Sequence, residues 1–96
     1  MGEGTRINMK LIHVISNINS FDEAETIYVQ KPWNVHSDSI VIQEPEDGSI
    51  PIQAQGKDYF LEVFLVKEFL EDWLEGKTKK ADEICSRIIQ YATDDA

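Results

Sequence analysis

Between Tyr59 and Glu75 the spacing of the apolar residues changes, and no single element accommodates the whole stretch. Val66, Phe69, Leu70, Trp73 and Leu74 recur at i, i+3, i+4, i+7 and i+8, which is one face of a helix. Carried backwards, the same helix places Leu61 and Leu65 on the opposite side, among acidic residues. Read as a strand, Tyr59, Leu61 and Val63 share one face and Phe60, Glu62 and Phe64 the other. The spacing therefore predicts a strand over 58–64 and a helix over 65–75, stopped by Gly76. Trp73 is expected deep in the core beside Phe69 and Leu70. Glu62, set between two phenylalanines, is expected to find a partner or to lie at a sheet edge, because an unpaired buried charge is costly.

The rest of the chain is read around this junction. Residues 1–6 are expected to be a flexible leader, and residues 7–96 a single domain. Ile7, Leu11, Val14, Ile15 and Ile18 share a helical face, which predicts an N-terminal helix over 7–18, with Thr5 as its cap and Asn19-Ser20 at its end. Thr26-Ile27-Tyr28-Val29 is β-branched and aromatic and reads as a strand that stops at Lys31-Pro32. Ile40-Val41-Ile42 reads as a second strand, and Asp47-Gly48 as a turn. Ile50, Ile52 and Ala54 alternate with polar residues and predict a short strand, held to an edge or a loop by Pro51. Ala81 to Thr93 reads as a last helix. Its buried side would carry Ala81, Ile84, Cys85, Ile88, Ile89 and Ala92, and Glu83 and Arg87 would pair at i, i+4.

Ninety-six residues can bury roughly two thirds of their unfolded surface, enough for a modest core. The one cysteine, Cys85, cannot form an intrachain disulfide, which points to a reducing, cytoplasmic setting. No apolar run reaches the length of a membrane span. Eighteen acidic against nine basic side chains give a net charge of −9. Such a field repels nucleic acid and anionic membranes and attracts basic proteins, while also serving plain solubility.

No residue pattern carries a catalytic, metal or nucleotide-binding signature, and no cofactor is implied. Cys85 falls on an apolar arc, where a buried, unreactive thiol is expected. His13 and His36 have no companions at metal-ligand spacing. His36, Ser37, Asp38 and Ser39 hold the residue types of a hydrolytic triad, but neighbours on an extended segment point in alternating directions. Two features say more. Glu68, Glu71, Asp72 and Glu75 form an acidic stripe opposite the apolar arc, with like charges at i, i+4 that each cost a few tenths of a kcal/mol. The stripe reads either as a solvated outer face or as a docking surface for a basic protein. Trp33, in Lys31-Pro32-Trp33, reads either as a binding anchor or as a side chain folded back to cap the core.

Tyr59-Phe60-Leu61-Glu62-Val63, Glu68-Phe69-Leu70-Glu71-Asp72-Trp73, Ile88-Ile89-Gln90-Tyr91-Ala92 and Asp94-Asp95-Ala96 together resemble a family of small uncharacterised acidic bacterial proteins. Thr26-Ile27-Tyr28, Lys31-Pro32-Trp33 and Asp38-Ser39 fit the same pattern. Members of that family look like cargo of mobile gene cassettes or of toxin–immunity loci. The resemblance covers most of the chain after residue 10. It implies a compact α+β fold in the bacterial cytosol and supplies no catalytic residues.

The fold expected is α+β, with an N-terminal helix, a small and mainly antiparallel sheet of three or four strands, and two C-terminal helices on one face. The function expected is a non-enzymatic protein-binding module, of an immunity or antitoxin-like kind, that meets a basic partner through the acidic stripe and Trp33. The alternative is a small-molecule binder with a pocket lined by Tyr28, Trp33, Tyr59 and Phe60. A hydrolase built on His36 is a third reading.

Overall fold

The computed structural model describes residues 8–74 and 79–95. Four antiparallel strands form one sheet in the order β1-β3-β2-β4, from β1 (Met9–Lys10), β2 (Thr26–Val29), β3 (Asp38–Ile42) and β4 (Asp58–Glu62). The α-helices among the described residues are α1 (Leu11–Ser16), α2 (Val63–Leu74) and α3 (Ala81–Asp95). The chain is thus a mixed helix-and-sheet fold.

The N-terminal helix expected over 7–18 is corrected. Met9 and Lys10 are extended and pair with Ser39 and Asp38, so a strand precedes the first helix. The pairing extends into that helix, because the first-turn amides of Leu11 and Ile12 donate to the Ser37 and Val35 carbonyls at 2.9 Å each. Those amides have no partner inside a helix, and here the segment entering β3 supplies one. At the other end the Asn17 side-chain amide donates to the His13 carbonyl at 2.8 Å, and a 3-10 turn over Ile18–Ser20 follows. The apolar face is retained: Leu11, Val14, Ile15 and Ile18 are all buried.

The change of period in the 59–75 stretch is real, and it falls at Val63, where β4 runs directly into α2. The strand does not alternate as expected. Tyr28 pairs with Tyr59 and Ile27 with Leu61, so the register shifts by one residue and Phe60 is the extra one. This bulge resets the phase of the strand, and Phe60 and Leu61 are both buried on the helical side. The strand expected over Ile50–Ala54 is replaced by a 3-10 turn over Ile52–Ala54. The Ala54 amide donates to the Pro51 carbonyl and that of Gln55 to the Ile52 carbonyl. Gly48 (φ 79°) and Gly56 (φ 86°) take the left-handed conformations that the turns on either side require.

Both faces of the sheet are covered, so every residue of β2 is buried. On one face Ile27, Val29, Val41, Phe60 and Leu61 meet α1, α2 and α3 in the main core. On the other, Tyr28 and Ile40 lie beneath Ala54, with Ile42 at the edge. In α2 only Val63 and Val66 are fully buried. Trp73 is half-buried, which corrects its expected place in the core. It leans on Phe69 at 5.8 Å between ring centroids, and the Lys79 ammonium sits 5.3 Å from its ring. In α3 the buried positions are Cys85, Ile88 and Ala92. Arg87 reaches Gln90 rather than Glu83, whose carboxylate lies 3.9 Å from Lys79. Glu62, at the end of edge strand β4, is half-buried.

Candidate functional site

The outward side of α2 is one wall of an open groove of about 1070 Å³. Phe64, Lys67, Glu68, Leu70, Glu71 and Leu74 come from the helix, and Ile18, Asn19, Glu23 and Ala24 from the connection between α1 and β2. These two stretches face each other for specific reasons. The Val63 amide donates to the Glu25 carbonyl at 3.0 Å, which fixes the start of α2 against the end of the connection. The connection is itself folded tightly. Asp22 accepts from the Ala24 amide at 2.8 Å, and the Glu25 carboxylate accepts from the Asp22 amide at 3.2 Å. Lys67 then bridges the two walls, donating to the Phe21 carbonyl at 3.1 Å with Glu23 3.9 Å away.

The result is an apolar floor with an acidic rim. Phe64 is 38 % exposed, and the half-buried Leu70 and Leu74 continue the apolar surface, whereas Ile18 lines the groove from a buried position. Glu23, Glu68 and Glu71 stand around it. Of the sequence-derived stripe, Glu68 and Glu71 line the groove, and Asp72 is exposed beside it. Glu75 lies outside the described residues. Glu68, Glu71 and Asp72 form no ion pair with any described residue. The one cation among the groove-lining residues, Lys67, is already engaged by Phe21 and Glu23.

Trp33 is half-buried. Its ring meets Phe60 edge-on at 4.9 Å between centroids, its indole N–H donates to the Val29 carbonyl at 3.2 Å, and the Lys31 ammonium lies 5.3 Å from it. It packs against the main core, far in sequence from the groove residues of α2. The four aromatics Tyr28, Trp33, Tyr59 and Phe60 are divided between the two faces of the sheet. Trp33 and Phe60 belong to the helical side, whereas Tyr28 and its cross-strand neighbour Tyr59 belong to the other. Tyr28 is 1 % exposed, its hydroxyl has no hydrogen-bond partner among the described residues, and burial raises its pKa above the usual phenol value, with Glu44 adding to the shift.

The polar segment around His36 is committed to structure. Ser37 Oγ donates to the Pro32 carbonyl at 2.9 Å and accepts from the Asn34 amide, and Ser39 Oγ donates to the Ser37 carbonyl. Neither hydroxyl bonds to His36, whose side chain is exposed. Burial pushes the Cys85 thiol up to about 12, so it is protonated at neutral pH. Among the described residues no group of three or more His, Cys, Asp or Glu side chains could hold a metal ion. Likewise none of their helices is long and apolar enough to cross a membrane.

The chain matches no family model, no curated protein and no solved structure. Sequence reasoning singled out the carboxylates of α2 but missed Phe64, Lys67, Ile18 and Ala24. The signal available was Phe64, a phenylalanine that the helical arc of Val66, Phe69 and Leu70 leaves on the outer side.

Proposed function

We propose that the chain is a non-enzymatic, acidic protein-binding module whose α2 groove receives a basic partner. One observation carries this reading: the exposed Phe64 and the half-buried Leu70 and Leu74 line the groove together with Glu68 and Glu71, two carboxylates that have no basic partner among the described residues. Apolar contact supplies affinity, and the acidic rim supplies orientation and a fast, salt-sensitive approach. A merely solvated helix face has no need of an exposed phenylalanine between its glutamates. The net charge of −9 adds to the attraction and opposes binding to nucleic acid or anionic lipid.

An inhibitor of the immunity or antitoxin type, covering a basic site on its target, is the form of such a module that fits the sequence resemblance. A cytoplasmic setting fits the lone, buried and protonated thiol. Binding of a metabolite has less support. The aromatics proposed for its pocket are split between the two faces of the sheet.

The test compares two sets of charge reversals. Glu68, Glu71 and Asp72 are changed to lysine in one protein, and Asp38, Glu46 and Asp58, which are also exposed, in another. Binding of a fluorescent Lys/Leu peptide is followed by anisotropy at low and moderate salt. The α2 set should abolish binding, and the control set should weaken it only through the shared field. Equal losses from both sets would refute a localised site.

A further inference from the structure

The shape of the groove says which conformation a partner must have. None of its lining residues belongs to a strand: they come from α2, from the 3-10 turn over Ile18–Ser20 and from the turn that follows. An extended segment laid there would meet no sheet edge, and its amides and carbonyls would be covered without partners. A helix brings its own backbone hydrogen bonds and needs only side-chain contacts from the groove. The apolar wall matches this, because Phe64, Leu70 and Leu74 succeed one another along a 12-residue helix about 18 Å long. About three turns of a second helix can lie beside it.

Charge then selects the polar side of that helix. Glu23, Glu68 and Glu71 rim the groove and Lys67 is already engaged, so a neighbour with carboxylates along its flanks is repelled. The same repulsion argues against a second copy of this chain, which would set the two acidic rims together at a net charge of −9 each. We infer that the groove between α2 and the α1–β2 connection takes an amphipathic helix of a partner protein, with apolar side chains at i, i+4 and i+7 flanked by lysine and arginine. This inference rests on the basic-partner reading above and narrows it to one partner conformation.

Three peptides of identical composition, made of leucine, lysine and alanine with one proline each, separate the narrower claim from the broader one. The first carries its leucines on one helical face and its proline at the N-terminal end, where a helix tolerates it. The second has the leucines scattered around the helix. The third keeps the leucine face but moves the proline to the middle, where it breaks the helix. The first should bind the intact chain at least about tenfold more tightly than the other two. Phe64→Ser, at an exposed position, should remove most of that preference, and Glu68→Lys with Glu71→Lys should weaken all three peptides. Equal affinity for the three, lost together on charge reversal, would overturn the helix inference and leave the basic-partner reading standing. No binding of any peptide would overturn both. A preference for the first peptide that survives both Phe64→Ser and the charge reversals would move the site elsewhere and overturn the inference. Self-association of the chain at the peptide-binding concentration, lost on Phe64→Ser, would overturn it in favour of a second copy.

Discussion

The two faces of the sheet are built differently. On one, three helices close over Ile27, Val29, Val41, Phe60 and Leu61 and bury a continuous core. On the other, a loop with one 3-10 turn lays Ala54 over Tyr28 and Ile40. Among the described residues, no buried side-chain nitrogen or oxygen on the helical face lacks a partner. The loop face contains the one described buried side-chain polar atom that lacks a partner, the Tyr28 hydroxyl. Nearby, Ile52 stands 82 % exposed and Ile50 is exposed as well. The helical side therefore holds the molecule together and also presents, on the back of α2, the groove. The loop side completes burial of the sheet over Tyr28 and Ile40 with a smaller cluster.

This contrast predicts unequal losses on truncation. Leu61→Ala, on the helical side, should cost about 4 kcal/mol, in the upper range for a buried leucine. Ile40→Ala, on the loop side, should cost about 2 kcal/mol, because a loop settles into a cavity more readily than packed helices do. Urea unfolding of both variants measures the difference, and equal losses would break the comparison. Trp73→Ala should also fall well below the roughly 3–5 kcal/mol of a fully buried tryptophan, at about 1–2 kcal/mol.

Alkaline pH examines both faces at once. Cys85, on the helical side, and Tyr28, on the loop side, each have a pKa raised by burial. A group whose pKa is higher in the fold holds its proton longer there than in the unfolded chain. Its contribution is intact below the unfolded value and declines as pH rises towards the folded one. For Cys85 that window runs from 9.0 to about 12. Cys85→Ala should be less stable at neutral pH yet lose less stability across this window than the parent. A parallel decline in parent and variant would show that the thiol does not contribute. The smallest effect belongs to Tyr28→Phe, which removes an unpartnered hydroxyl and should change stability by less than about 1 kcal/mol in either direction. A large loss would mean that the hydroxyl has a partner, such as a bound water, and that the loop face is better satisfied than its packing suggests.

Much of this architecture was legible in local patterns. The change of period within Tyr59–Glu75 located the β4–α2 junction, although one residue of bulge moved Phe60 to the other face. Thr26–Val29, Ile40–Ile42 and the arc of α3 were read from composition and spacing. What local pattern could not supply was pairing between distant segments. Met9 and Lys10 are extended because Ser39 and Asp38 are there to receive them, and nothing within residues 7–18 announces that. Ile50, Ile52 and Ala54 alternate like a strand, yet Pro51 and Gly56 frame a turn held by local hydrogen bonds. The groove divides in the same way. Glu68 and Glu71 were legible as a stripe on one helix, whereas Ile18, Glu23 and Ala24 reach it only through the contacts of Lys67 with Phe21 and of Val63 with Glu25.

The most direct test of the account is a map of where a basic amphipathic helix lands. In an isotope-labelled sample titrated with such a peptide, the amides of Asn19, Ala24, Phe64, Lys67, Glu68 and Glu71 should shift together and saturate at one affinity. Tyr28, Ile40 and Ala54, on the loop face, should not move. Shifts centred on the loop face, or spread evenly over exposed carboxylates such as Asp38, Glu46 and Asp58, would contradict the placement of the binding site in the α2 groove.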